Sequence, residues 1–136
     1  MIYLTRRERF SAAHRMYIPE WTDEENQKVF GKCSNRNWHG HNYVLYITVK
    51  GEQSANKCFV INLDILKKII KEKVIDMVDH KNLNLDVDFM KGLMTTTENL
   101  AIAIWNELKS PVEKEGAELY CVKIEETENN SIEYYG

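Results

Sequence analysis

A chain of 136 residues, 43% hydrophobic and with a formal net charge of −3, is one domain (1–136) long enough to bury a core. The mild, mixed charge argues against a nucleic-acid partner held by a basic surface and leaves room only for a local basic pocket for a phosphorylated small molecule. No apolar run is long enough to span a membrane, Met1 to Arg7 lack a signal-peptide pattern, and three cysteines without paired spacing make no disulfide framework, so a cytoplasmic, reducing compartment is the default.

Ile2 to Ala13 reads as a strand that reaches His14. Ile2, Leu4, Phe10, Ala12 and His14 share one face, while the charged run Arg6-Arg7-Glu8-Arg9 blurs the register. Met16 to Lys32 holds Pro19, Gly31 and the acidic run Asp23-Glu24-Glu25, and reads as a long irregular loop with room for a short helical turn. Such loops in compact domains are often functional, and this one joins His14 to Cys33. His39-Gly40-His41 leads into Asn42 to Val49, rich in aromatic and β-branched residues, which predicts a second strand. Side chains two apart on a strand leave the same face, so His39 and His41 point the same way. Gly40 between them lets the backbone bend or approach a neighbour closely.

Lys50 to Lys57 reads as a turn, after which Cys58-Phe59-Val60-Ile61 resumes an extended run. Asn62 is an N-cap candidate, and Leu63, Leu66, Ile70, Val74 and Met77 recur at helical spacing opposite a lysine-rich face. That helix ends near Asp79-His80, and the Asn- and Asp-rich segment Lys81 to Asp88 follows. Thr95 with Glu98 matches a capping box. Leu100, Ala101, Ile104, Trp105 and Leu108 line a second helix, closed by Ser110-Pro111. Glu118 to Glu126 and Ser131 to Tyr135 are two strands around the Asn129-Asn130 turn. Grouped strands and helices predict an α+β fold, a four-stranded antiparallel sheet with two helices packed on one face. Such a sheet keeps open edges, which an edge-to-edge oligomer would remove.

Catalytic zinc commonly takes three protein ligands and keeps a fourth position for water or substrate. His14, His39 and His41 can supply three neutral imidazoles. A His-x-His pair alone reads equally as ordinary polar strand residues. The chain, however, has only four histidines and three fall at these strand ends. Cys33 reads either as a reactive thiolate beside a cation or as an inert buried thiol. Cys58 and Cys121 lie in apolar runs, where the inert reading wins. Asp79 and His80 can form an acid/base pair, although neighbours in sequence do not ordinarily face one another. His80 reads equally as a dipole-favoured helix end, Glu98 as a capping residue, and Glu126 as a solvated strand end.

Phe10-Ser11-Ala12-Ala13-His14-Arg15, Gly31-Lys32-Cys33, His39-Gly40-His41-Asn42-Tyr43, Asp79-His80-Lys81-Asn82-Leu83, Thr96-Thr97-Glu98-Asn99 and Glu126-Thr127 together carry a resemblance over essentially the whole chain. In these motifs the chain resembles the tunnelling-fold pterin synthases, comprising 6-pyruvoyl-tetrahydropterin synthases and the 6-carboxytetrahydropterin synthases of the queuosine route. The resemblance implies Zn2+ on His14, His39 and His41, Cys33 as proton-abstracting base, and Asp79 and His80 as its acid/base relay. It implies a pterin pocket lined by Thr96, Thr97 and Glu98 and anchored by Glu126. It further implies a homohexamer of two stacked trimers whose sheets join into barrels, with active sites between subunits.

The implied reaction is zinc-dependent elimination of triphosphate from 7,8-dihydroneopterin triphosphate, giving 6-pyruvoyl-tetrahydropterin for tetrahydrobiopterin synthesis. The metal would stabilise charge as the carbon-bound proton leaves for Cys33, whose pKa the ion and His80 are expected to lower. Two positions depart from the pattern of the pyruvoyl enzymes: Trp38 stands where glycine is usual and Arg36 where proline is common. The five residues between Cys33 and His39 favour the pyruvoyl enzymes over the carboxy enzymes, where the spacing is more often shorter. A non-catalytic pterin- or metal-binding module is a third reading, disfavoured because binding alone needs none of Cys33, Asp79 and His80.

Overall fold

The computed structural model describes residues 1–53, 56 and 58–136. Its frame is one long antiparallel pair, β1 (Ile2–His14) and β2 (His39–Gly51), in register from Ile2 opposite Gly51 to His14 opposite His39. On β2 the residues Tyr43, Leu45, Ile47 and Val49 are buried while their sequence neighbours are not. This is the alternation of a sheet with one covered face. β4 (Glu118–Thr127) pairs antiparallel with β2, and β5 (Asn130–Tyr134) with β4.

Among the described residues the sheet has five strands, in the order β3-β1-β2-β4-β5, rather than the expected four. The added strand β3, Lys81–Asn82, runs parallel to β1 at Ala12 and Ala13. Two residues carry no readable period, which is why the sequence does not announce it. The sheet's helix-covered face meets α2 (Leu63–Ile70) and α4 (Thr97–Lys114) through Leu66, Ile70, Leu100, Ile104 and Leu108. The α+β architecture therefore holds.

Four helix and strand expectations change. The loop 16–32 contains α1, Asp23–Phe30, with Thr22 and Glu25 forming a full capping box and a 3₁₀ turn, Gly31–Ser34, beyond it. Only Asn26 of this helix is buried, so its hydrophobic period is too faint to predict it. Cys58 to Ile61 is a series of bends, not a strand, and within the preceding turn Ser54, Ala55 and Lys57 lie outside the described residues. Asn62 does cap α2, its side chain accepting from the amides of Asp64 and Ile65. A π-helical segment, Lys71–Ile75, and a last turn α3, Asp76–Val78, continue that helix. The wider π turn shifts the helical phase, so Val78 is buried where Met77 was expected, and Met77 is exposed. Finally, α4 runs through Pro111 to Lys114 because buried Val112 anchors the turn beyond it. No helix among the described residues is long and apolar enough to cross a membrane.

Candidate functional site

The β1–β2 register sets the site. It places His14 opposite His39 and Ala12 opposite His41, bringing the three imidazoles together at one end of the sheet. Their ring centroids lie 4.5, 5.1 and 4.9 Å apart, and one ligating atom from each lies within 4.8 Å of the others. Gly40 eases the close strand approach, since a Cβ there would sit at a tight 3.3 Å from the Ala12 carbonyl oxygen.

His14 is buried, and its Nδ1–H donates to the Thr95 carbonyl at 2.7 Å. A carbonyl can only accept, so Nδ1 carries the proton and the Nε2 lone pair faces its neighbours. That Nε2, the Nε2 of His41 and both ring nitrogens of His39 are buried without a hydrogen-bond partner. Orphaned buried nitrogens are costly, and a shared cation would satisfy all three rings at once. Burial is the largest influence lowering the pKa of each of the three histidines. They therefore stay neutral at pH 7, the form that ligates a metal. The donor set fits one metal ion with an open position.

Glu126 borders the triad. One carboxylate oxygen lies 3.7 Å from His41 Nε2, and the other accepts the Thr97 hydroxyl at 2.5 Å. The cap of α4 is Thr96, whose side chain accepts from the Asn99 amide, rather than the expected Thr95. Thr95 is instead buried beneath His14, and Glu98 is exposed and free of the capping role. Thr96, Thr97, Glu98, Glu126 and Met16 line a cavity of about 420 Å³ next to the triad, within the size range of small-ligand sites.

Cys33 sits half-buried on the 3₁₀ turn, its carbonyl accepting the Met16 amide at 2.8 Å. Burial first, and the Glu126 carboxylate second, push its thiol pKa up. The expected lowering by His80 is absent within one chain. Of the other thiols Cys121 is buried as expected, whereas Cys58 is exposed. Tyr43 is a site residue that sequence reasoning missed. It is stacked on Phe10 and meets the rings of His14 and His41 edge-on. Its phenol is pushed well above the usual range by burial, then by Glu126 and Cys33. The signal was available, because 39, 41 and 43 share a strand face.

Asp79 and His80 do face one another, against expectation. His80 adopts a left-handed backbone, φ 58°, which turns its ring back so that Nδ1 lies 3.1 Å from Asp79 Oδ1. The same oxygen accepts the Ser11 amide at 2.9 Å, and the His80 amide donates to the Ser11 carbonyl at 2.7 Å. The Ser11 amide first, and His80 after it, hold the Asp79 carboxyl below the usual carboxylate range. The His80 side chain is 83% exposed. With Ser11, Gly40, His41 and Asn42 it borders an open cavity that Cys33 does not line. One chain thus unites His14, His39, His41, Glu126 and Thr97, and leaves Asp79 and His80 apart from Cys33.

The family model described as 6-pyruvoyl tetrahydropterin synthase matches residues 3–136. The chain belongs to this family. It is 51% identical to the 6-pyruvoyl tetrahydrobiopterin synthase of Dictyostelium discoideum, over 99% of this chain and 96% of that protein. To the human protein of the same name it is 46% identical, over 98% of this chain and 90% of that one. The solved 6-pyruvoyl tetrahydropterin synthase of Caenorhabditis elegans superposes with a TM-score of 0.91 at 43% identity, covering 99% and 95% of the two chains. Similarity to the 6-carboxy-5,6,7,8-tetrahydropterin synthase of Bacillus subtilis is lower, 30% identity over 84% of this chain and 70% of that protein. Trp38, where the resemblance leads one to expect glycine, has φ 66°, the left-handed region that glycine adopts freely.

Proposed function

We propose that the chain is a zinc-dependent 6-pyruvoyl-tetrahydropterin synthase, a lyase that eliminates triphosphate from 7,8-dihydroneopterin triphosphate. The observation that carries the reading is the cluster of orphaned imidazole nitrogens from His14, His39 and His41 beside Glu126, in a chain 51% identical to a synthase of that name. Three neutral imidazoles with an open position suit catalytic zinc. When bound, zinc supplies Lewis acidity toward the side-chain oxygens of the substrate.

The residues of the chain divide the remaining work. Glu126, held by Thr97, accepts hydrogen bonds from the guanidine-like edge of the pterin, while Thr96 and Glu98 border the ring. Cys33 removes the carbon-bound proton of the side chain. Its thiol must first ionise against burial and the Glu126 charge, so it needs a nearby proton acceptor. His80, oriented and charge-balanced by Asp79, fills that role.

In the assembly that this mechanism needs, Asp79 and His80 come from another subunit. The exposure of His80 supports this, as do the open edge of β1 along Ile2 to Phe10 and the edge strand β5. Sheet-to-sheet pairing of three chains into a barrel, with two trimers stacked, closes both edges. The three free thiols, Cys33, Cys58 and Cys121, suit a reducing cytoplasm.

Incubating the zinc-loaded protein with 7,8-dihydroneopterin triphosphate and following products by mass tests the reading. Triphosphate with a pyruvoyl product is expected. Acetaldehyde with a carboxy product would make the chain the queuosine-route enzyme instead. Tight pterin binding without turnover would leave only a binding module.

A further inference from the structure

The turn that carries Cys33 is short, exposed at its outer side and closed by a strained residue. Its four residues form a single 3₁₀ turn. Trp38 then enters β2 with φ 66°, a conformation that a bulky residue keeps only where its surroundings enforce it. Two bonds tie the turn to the end of β1: the Met16 amide donates to the Cys33 carbonyl at 2.8 Å, and Arg15 Nε donates to the Ser34 carbonyl at 2.8 Å. Arg15 directly follows the metal-site residue His14, and its guanidinium lies 4.3 Å over the Tyr17 ring.

Asp23, in the first turn of α1, completes the arrangement. One carboxylate oxygen lies 3.6 Å from the Arg15 guanidinium, and the other accepts a hydrogen bond from Arg36. Asp23 thereby bridges a cation at the end of β1 and a cation on the far side of the Cys33 turn. Arg36 is two residues from Trp38, so the bridge restrains the segment that would otherwise relax.

We propose that Asp23 is a positioning residue for Cys33, clamping Arg36 to Arg15 so that the thiol is held against the strand end bearing His14. The inference rests on the proposed role of Cys33 as base. Exposed ion pairs add little to stability, so the clamp acts on geometry, where displacements of about 1 Å can cost about 100-fold in rate.

The test uses Asp23→Asn, Arg36→Ala and the conservative Arg36→Lys in the zinc-loaded, full-length protein. Readouts are kcat, KM, zinc content, thermal midpoint and the iodoacetamide alkylation rate of the Cys33 peptide by mass. Asp23→Asn and Arg36→Ala should each lower kcat by about tenfold with KM kept within about twofold, in line with lost orientation rather than lost binding. Cys33 should alkylate several-fold faster, zinc content should hold, and Arg36→Lys should recover most of kcat. Unchanged alkylation and kcat in both variants would overturn the clamp. So would a kcat loss that appears only with lost zinc or a lowered thermal midpoint. Faster alkylation with unchanged kcat would leave the clamp standing and remove Cys33 from the chemistry instead.

Discussion

The Nδ1–H of His14 donates to the main-chain oxygen of Thr95 at 2.7 Å, joining the last residue of β1 to the residue before the α4 cap. The bond fixes the tautomer and turns Nε2 toward His39 and His41. Thr95 is itself held by its hydroxyl, which reaches the Arg15 carbonyl at 3.3 Å and Asn84 Oδ1 at 3.0 Å. Thr95→Val should cost about 1 kcal/mol in urea unfolding. By loosening the carbonyl that orients His14 it should also weaken zinc binding by about tenfold or more. A competitive metal titration equal to wild type would show that the Thr95 carbonyl does not depend on its side chain.

The same histidines set a pH dependence. Burial lowers the folded pKa of all three below the unfolded value near 6.5. Between the folded and unfolded values the unfolded chain binds more protons, so stability rises with pH there. For the metal-free protein this contribution is fully present above about pH 6.5 and is lost as pH falls through the folded values. Metal affinity should run flat above about pH 6.5 and drop only as pH falls through the lowered folded values, where protons compete for the rings. Urea midpoints and metal titrations from pH 5 to 8 check both; an affinity drop beginning well above pH 7 would mean the rings are charged in the fold.

Gly31 begins the Cys33 turn at φ 55° and ψ −131°, backbone that is strained for any residue with a Cβ. No atom lies within 4 Å of an added Cβ, so steric crowding plays no part. Gly31→Ala should therefore destabilise by roughly 1–3 kcal/mol through the backbone alone. An unchanged denaturation midpoint would mean that the turn has another conformation open to it.

The parts of the fold and site that follow a long period were legible in the sequence. His39 and His41 share a face because strands have period 2, and β1 met them because an antiparallel pair of equal strands puts His14 opposite His39. The stripe Leu66, Ile70 and Val74 was legible for the same reason, and Asn62 by its capping chemistry. What escaped has no period or breaks one. β3 is two residues long, α1 buries only Asn26, and the π segment shifts the phase at Met77. The contact of Asp79 with His80 depends on one positive φ, which no pattern of residue types encodes. Tyr43 was legible by the same rule, since 39, 41 and 43 share a strand face.

Glu126 faces both the triad and the neighbouring cavity, with Thr97 holding one oxygen at 2.5 Å. A hydrogen bond to a charged group contributes about 1.5–3 kcal/mol. Glu126→Gln keeps the shape and loses the charge, so kcat/KM should fall by about 10- to 100-fold, mostly through KM. The Glu126 charge is also the second cause of the raised Cys33 pKa, so the variant's thiol should ionise at lower pH. Alkylation of the Cys33 peptide against pH reads that directly, and a profile superimposable on wild type would show that Glu126 does not act on the thiol.

Cys33→Ala separates chemistry from binding. The thiol is absent from the three-histidine cluster, which draws its ligating atoms from His14, His39 and His41 alone. Removing it should leave zinc stoichiometry at wild-type level. The half-buried side chain contributes little packing, so the unfolding midpoint should move by at most about 1 kcal/mol equivalent. Turnover, by contrast, should disappear, because no other thiol is placed to replace it: Cys58 lies outside the described sheet and helices and Cys121 is buried on β4. Cys33→Ser, which keeps a weakly acidic oxygen at the same point, should be nearly as inactive. A zinc-loaded Cys33→Ala protein that still released triphosphate would transfer the proton-abstracting role to another group, and Tyr43, packed against His14 and His41, would be the next residue to change.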